Sequence, residues 1–235
     1  MLTATAPARE VSKSDYHRRI ASVQERLSDL QSRVRDSDRC ALIVLEGPDQ
    51  SGKTTIARRL IETFDPRGFR VWHTYAPDAV ELRHPWLWRF WKTLPRCGAL
   101  ACYDRSWCGR TLVERVEKLA SGEEIEAAYD EILRFERTLA DAGAVIVKLL
   151  MNLSKREQRR RFDEREADPN ERWRIKKEDW RRHRKFSKYR EAFGDLVRRT
   201  SAPRAPWSVI PADDRRTAEV TALETIAGAI AKGLR

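Results

Sequence analysis

The chain is poor in the residues that most often announce chemistry. Its four cysteines (Cys40, Cys97, Cys102, Cys108) show no CxxC spacing, and its four histidines (His17, His73, His84, His183) show no ligand spacing. A disulfide framework, a zinc site and a Ser-His-Asp arrangement are therefore not indicated, and a reducing, cytoplasmic setting is the expectation. Cys102 lies in an apolar run, as a buried thiol does. No apolar stretch approaches the ~20 residues of a membrane helix, so no membrane partner is expected. The opening MLTATAPAREVSKSDYHRR has no apolar core of the kind that marks a secretory leader. Gly and Pro number 10 each, which excludes collagen-like and low-complexity chains.

What the chain has is charge. Of 235 residues 35% are charged, with a net charge of +11, against 41% apolar, which is enough for a core. The excess is concentrated. Residues 155–190 hold 16 Lys+Arg and 8 Asp+Glu, so this window carries +8 of the +11. A charge-laced solvated helix is one reading of it; the one-sided excess favours an anion-binding surface.

Hydrophobic periodicity orders the rest. Tyr16, Ile20, Val23, Leu27, Leu30 and Val34 form a single stripe, which predicts an amphipathic helix over 13–36. Short apolar runs at 41–45, 69–75, 99–103, 143–151 and 207–210 predict five strands. Helical patterns at 56–64, 84–95, 106–120, 122–141, through most of 155–199 and at 214–233 separate them. Strands alternating with helices predict an α/β fold in three α/β/α layers around a parallel sheet, read as one domain over 1–235. Asp168-Pro169-Asn170 interrupts the basic window, which is read as an insertion on that domain.

Gly47-Pro48-Asp49-Gln50-Ser51-Gly52-Lys53-Thr54 matches G-x-x-x-x-G-K-[ST] between a strand and a helix. Gly47 and Gly52 let backbone amides approach phosphate oxygens, and the next helix adds its N-terminus to the anion cradle. Lys53 brings a positive charge to the phosphates and Thr54 offers a hydroxyl to Mg²⁺. Asp49 is unusual there, because a carboxylate repels phosphate unless a cation offsets it. It reads as a Mg²⁺ or phosphate-orienting group, or as a turn stabiliser.

A second motif closes the third strand. Asp104 stands where the acidic metal ligand of a phosphate-binding loop protein belongs, and Arg105 follows within reach of a transferred phosphoryl group. Arg110 and Glu114, further along, either face the same pocket or pair with each other at i, i+4. In the basic window Arg165 is the candidate for the reaction centre, with Arg161 and Lys176 as further candidates. Mg²⁺ held by oxygens, with Mn²⁺ as a substitute, is the metal implied.

These segments together resemble the polyphosphate kinase 2 family over nearly the whole chain. The resemblance rests on RCALIVLEG (39–47) running into the Asp-bearing loop, HPWLWRFWKTLPR (84–96), YDRSWCGRTLVERVE (103–117), EQRRRFDEREADPNERWRIKKEDW (157–180) and TSAPRAPWSVIPADD (200–214). It implies a phosphate-binding-loop kinase fold with a basic helical lid. It also implies Mg²⁺-dependent phosphoryl transfer between inorganic polyphosphate and nucleotides (AMP, ADP or ATP), and a homodimer or homotetramer. Asp49, Asp104, Lys53, Arg105 and Arg165 match the family's working residues. Two positions depart from its pattern: Thr54-Thr55 after the lysine, and Cys108 where the family has Tyr. The first makes the loop look like that of thymidylate kinases, so an ATP-dependent nucleoside monophosphate kinase is the rival reading. A nucleic-acid-binding protein is the third; no nucleic-acid module is visible in the sequence, and nucleic acid is not expected as a partner.

Overall fold

A computed structural model describes residues 10–235; the N-terminal segment read above for a leader lies partly outside them. Helix α1 (Lys13–Arg35) starts at Ser12, whose hydroxyl accepts from the Asp15 amide, and buries Ile20, Val23, Leu27, Leu30 and Val34 as the stripe predicts. Strand β1 (Ala41–Glu46) is buried throughout. It leads through the glycine-rich loop into α2 (Lys53–Thr63), which stops before Asp65-Pro66. β2 (Phe69–His73), the short helix α3 (Trp88–Trp91) and β3 (Leu100–Asp104) follow. A one-turn helix α4 (Arg115–Glu117) and a long α5 (Gly122–Asp141) come next; α5 opens on a capping box between Ser121 and Glu124. Then come β4 (Val145–Asn152), α6 (Lys155–Ala167), α7 (Lys177–Arg184), α8 (Phe186–Thr200), β5 (Trp207–Pro211) and α9 (Arg215–Gly233).

The five strands form one parallel sheet in the order β2-β3-β1-β4-β5. On one face α1, α2 and α9 cover it, with Leu27, Leu60, Leu223 and Ile226 fully buried against the strands. On the other face α5, α8 and the segment after β3 enclose Tyr103, Trp107, Ile132, Phe135 and Leu196. The three-layer architecture is as the alternating pattern predicts. Connections leave the adjacent ends of β1 and β3 in opposite directions, toward β2 and toward β4. That opens a crevice at their carboxyl ends, where ligands of such sheets bind.

Two predicted helices are shorter than expected. Within 84–95 only Trp88–Trp91 is α-helical, because Pro85 and Pro95 confine it and the last turn tightens to i→i+3 bonding at Thr93. Over 106–120 the chain makes turns, then a π-turn at Arg110–Glu114, then α4. It stops at Lys118, which sits in the left-handed region at φ +57°. A π-turn widens the helix beside a cavity, a placement common at functional sites. Strand edges shift by one or two residues: β2 ends at His73, β3 begins at Leu100 and β4 at Val145, while β1, β3, β4 and β5 each run one residue further than predicted.

Candidate active site

The loop after β1 is shaped by what cannot fit there. At Gly47, φ +139°, a Cβ would lie 2.6 Å from the Met151 carbonyl oxygen. Gly52, φ +98°, is the N-cap of α2 and takes the left-handed conformation that starts the helix with its amides bare. Lys53 folds back and its Nζ donates to the carbonyls of Gly47 (2.7 Å) and Pro48 (2.9 Å). Burial pulls its pKa down, against the opposing pull of Asp104 and Asp49. Thr54, in the exposed first turn of α2, lines the cavity in front of the loop.

Asp49 stands at the centre. Its Oδ1 accepts from Arg105 Nη2 and its Oδ2 from Arg182 Nε, both at 2.6 Å. Burial opposes its ionisation, but Arg105, Arg182 and Lys53 outweigh that and hold the carboxyl below its usual range. Arg105 owes its aim to an unusual backbone. It lies at φ +65°, its amide donates to the Leu45 carbonyl (3.1 Å), and its own carbonyl accepts from Thr74 Oγ1 (2.7 Å). The next residue is clamped by Glu46, whose Oε1 accepts from both the amide and the hydroxyl of Ser106, each at 2.9 Å. Burial pushes Glu46 up to about 7.

Asp104 is 7% exposed. The β2–β3 register sets His73 beside it, with His73 Nδ1 at 3.3 Å from Oδ2. Burial disfavours its charge, yet the His73 hydrogen bond and Lys53 bring its pKa below the ordinary value. Its Oδ1 is buried without a hydrogen-bond partner. A buried anionic oxygen in that state, facing the phosphate loop, fits a hard cation that takes oxygen ligands. No group of three or more His, Cys, Asp or Glu that could hold a metal ion occurs among the described residues. Asp104 and Thr54 could contribute oxygens to such a cation; both oxygens of Asp49 already accept from arginines.

Two cavities flank this centre, and Asp49 and Arg105 line both. The first, about 1030 Å³, runs in front of the loop and α2 between charged walls that include Lys13, Arg58, Arg165, Arg174, Arg215 and Arg216. The second, about 700 Å³, carries an aromatic and aliphatic wall of Leu82, Trp86, Phe90, Trp107 and Phe193 alongside charged side chains that include Glu81, Arg89, Arg110 and Glu114.

Most of the remaining candidates line one of the two cavities. Arg165 lines the charged cavity together with Asp49, Lys53 and Asp104, and pairs with Glu171 at 3.3 Å. The basic-window arginine that touches Asp49 directly is Arg182. Arg161 is buried and spends its guanidinium on Glu157 and on the carbonyls of Gln50, Ala212 and Asp213, so it braces the loop. Arg110 and Glu114 both line the apolar cavity and also pair with each other at 2.6 Å, so the two readings of them coexist. Lys176 lines neither cavity; it caps α7, because the Asp179 carboxylate accepts from its amide. Cys108, where the family pattern has Tyr, is a sealed thiol pushed well above its ordinary pKa by burial.

Arg182, Glu46 and His73 were not among the sequence candidates. Arg182 sits in the run Arg181-Arg182-His183-Arg184, where nothing separates it from its neighbours. His73 meets Asp104 only through strand register. Glu46 had one available signal, a lone acid ending an otherwise apolar strand.

Against known proteins, residues 10–234 match the family model described as Polyphosphate kinase 2. A polyphosphate:AMP phosphotransferase of Pseudomonas syringae pv. tomato is 41% identical over 222 residues, covering 94% of this chain and 45% of that protein. The chain thus spans about half the length of that relative. An ADP-polyphosphate phosphotransferase 3 of Rhizobium meliloti is 31% identical over 97% of this chain and 80% of its own length. The crystal structure of Polyphosphate Kinase 2 from Arthrobacter aurescens TC1 superposes with a TM-score of 0.94 at 29% identity, covering 99% of this chain and 85% of that one. These likenesses do not favour an ATP-dependent nucleoside monophosphate kinase.

Proposed function

Because the chain belongs to the polyphosphate kinase 2 family, we propose that it moves a phosphoryl group between inorganic polyphosphate and a nucleoside mono- or diphosphate. The observation that carries this reading is the meeting of two unlike cavities at Asp49 and Arg105. The charged one, with the loop amides at its floor, suits a chain of phosphates that has no apolar part. The aromatic one suits a nucleobase and ribose, with rings such as Trp86 and Phe90 for the base and polar side chains for the sugar and phosphate.

In this reading an oxygen of the nucleotide's terminal phosphate attacks the end phosphorus of the chain. The bond from that phosphorus to its bridging oxygen breaks, and the polymer leaves one phosphate shorter. No covalent enzyme intermediate is needed, since positioning and charge neutralisation supply the acceleration. Lys53 and the loop amides bind the chain's end. Arg105 and Arg182 balance the charge that develops on the transferred group, and Asp49 holds both guanidinium groups in place. Asp104 and Thr54 would hold Mg²⁺, which neutralises phosphate charge when bound. The four free thiols agree with a cytoplasmic location, and no helix of the described residues is long and apolar enough to cross a membrane. A homodimer or homotetramer is the assembly we expect, which light scattering would test.

A donor swap tests the reaction. With Mg²⁺ present and ATP absent, polyphosphate should convert AMP or ADP to the next higher nucleotide. Turnover with ATP and a nucleoside monophosphate, and none with polyphosphate, would overturn it.

A further inference from the structure

The main chain at Asp49 is held from the basic helical segment by two side chains, Arg161 at the wall of the charged cavity and Gln158 at the wall of the aromatic one. Gln158 and Arg161, one turn apart on α6, reach consecutive carbonyls of the loop. Gln158 Nε2 donates to Asp49 O at 2.9 Å and Arg161 Nη1 to Gln50 O at 2.8 Å. Gln50 is itself at φ +66°, a conformation that a non-glycine residue keeps only when its surroundings impose it. A trans peptide points its C=O and the next N–H in opposite directions, so pinning the Asp49 carbonyl also aims the Gln50 amide.

Gln158 is in turn oriented. Its Oε1 lies 2.7 Å from His183 Nδ1, and Gln158 and His183 are 2% and 8% exposed. With the amide nitrogen turned to Asp49, the oxygen faces the imidazole, so Nδ1 is the donor. The His183 ring is fixed edge-on against Phe162 and Trp180. Burial, with Lys155 and Arg159 nearby, holds its pKa below the ordinary imidazole value. Arg182, its neighbour on α7, grips the Asp49 carboxylate. One turn of α7 therefore holds both ends of Asp49: the side chain directly and the backbone through Gln158.

We propose that His183 and Gln158 are positioning residues, a relay that sets the Asp49–Gln50 backbone only while α7 is docked on α6. The relay rests on the phosphotransfer reading for its effect on rate, but not for its effect on the loop. It makes the loop's working shape conditional on the segment that supplies Arg182.

The test compares Gln158→Ala, His183→Leu and His183→Asn with the wild type; the Asn amide can replace the Nδ1 donor and Leu cannot. Two quantities are read: hydrogen exchange of the amides of residues 50–54, which needs no substrate, and steady-state kinetics. Exchange there should quicken in Gln158→Ala and His183→Leu and stay near wild type in His183→Asn. Turnover should fall about tenfold in the first two with KM for both substrates little changed, since a small misplacement at the centre costs rate more than binding. The Gln158→Ala/His183→Leu double variant should be no worse than either single one, as members of one chain of contacts are not additive. The relay is overturned if His183→Asn behaves like His183→Leu, if the two losses add, or if exchange at 50–54 stays unchanged while the thermal midpoint falls. An inactive wild type whose loop exchange follows the expected order would sink the proposed reaction and leave the relay standing.

Discussion

The molecule holds two carboxylate–cation clusters in contrasting surroundings. In one, Lys148 on β4 donates to Glu136 at 2.6 Å and to the Thr200 carbonyl at 2.7 Å, and Trp107 Nε1 donates to Glu136 at 3.0 Å; both charged side chains are 0–1% exposed. In the other, Asp49 joins Arg105 and Arg182 where the two cavities meet. Burial pushes Glu136 above the usual carboxyl range despite its lysine, whereas two arginines and Lys53 hold Asp49 below it. The sealed pair ties β4, α5, α8 and the turn after β3 into one body. The open cluster sets Arg105 and Arg182 on Asp49, with Asp179 as a second partner of Arg182, and lines both cavities. Partner count and access to solvent, more than the pairing itself, separate a structural ion pair from a chemical one.

Breaking the sealed pair should give the largest effect. Lys148→Met leaves Glu136 buried without its cation, and such losses cost about 3–5 kcal/mol of stability. A chemical denaturation curve should show it, and adding Glu136→Met should recover part of it. A Lys148→Met protein as stable as wild type would erase the distinction between the two clusters.

The open cluster should respond the other way. Asp49→Asn and Asp104→Asn keep side-chain size, so the thermal midpoint should stay near wild type while turnover drops by ~10²-fold or more. Near-normal turnover of Asp49→Asn would make that residue a turn stabiliser.

Glu46 sharpens the contrast through pH. Its folded pKa, about 7, lies above the ordinary 4.5. Its contribution to stability is therefore full below about 4.5 and is lost as pH rises through about 7. Glu46→Gln keeps an acceptor for Ser106 and removes the titration, so its thermal midpoint should fall less than the wild type's over that interval. Parallel curves would show that the carboxyl titrates elsewhere.

Much of this was legible before any coordinates. Runs such as Ala41–Leu45 and the stripe from Tyr16 to Val34 report burial directly, so the strands and layers follow from periodicity. The phosphate loop is legible because glycine at 47 and 52 is a steric necessity. Partners assembled by strand register or by packing of the basic segment were not. His73 meets Asp104 across two strands, and Arg182 differs from Arg181 and Arg184 only in where α7 happens to face. Sequence reports charge, not direction, so it does not show that Arg165 lines the charged cavity paired with Glu171 while Arg182 reaches Asp49 itself. The predicted helix over 106–120 is present only over 110–117, since periodicity is blind to a π-helical turn and to a lysine at φ +57° that ends it.

The central claim is that each substrate has its own cavity and that they meet at Asp49. Arg165→Gln removes a cation from the charged cavity. Leu82→Asp puts a carboxylate at the rim of the aromatic one, where Leu82 is 71% exposed and the change should not disturb folding. The most direct measurement is KM for long-chain polyphosphate and for the nucleotide in both variants. Arg165→Gln should raise KM for polyphosphate and flatten its salt dependence, as loss of a phosphate contact does, with KM for the nucleotide unchanged. Leu82→Asp should raise KM for the nucleotide alone. If either variant moves both constants together, or each moves the other's, the division of the site between the two cavities is wrong.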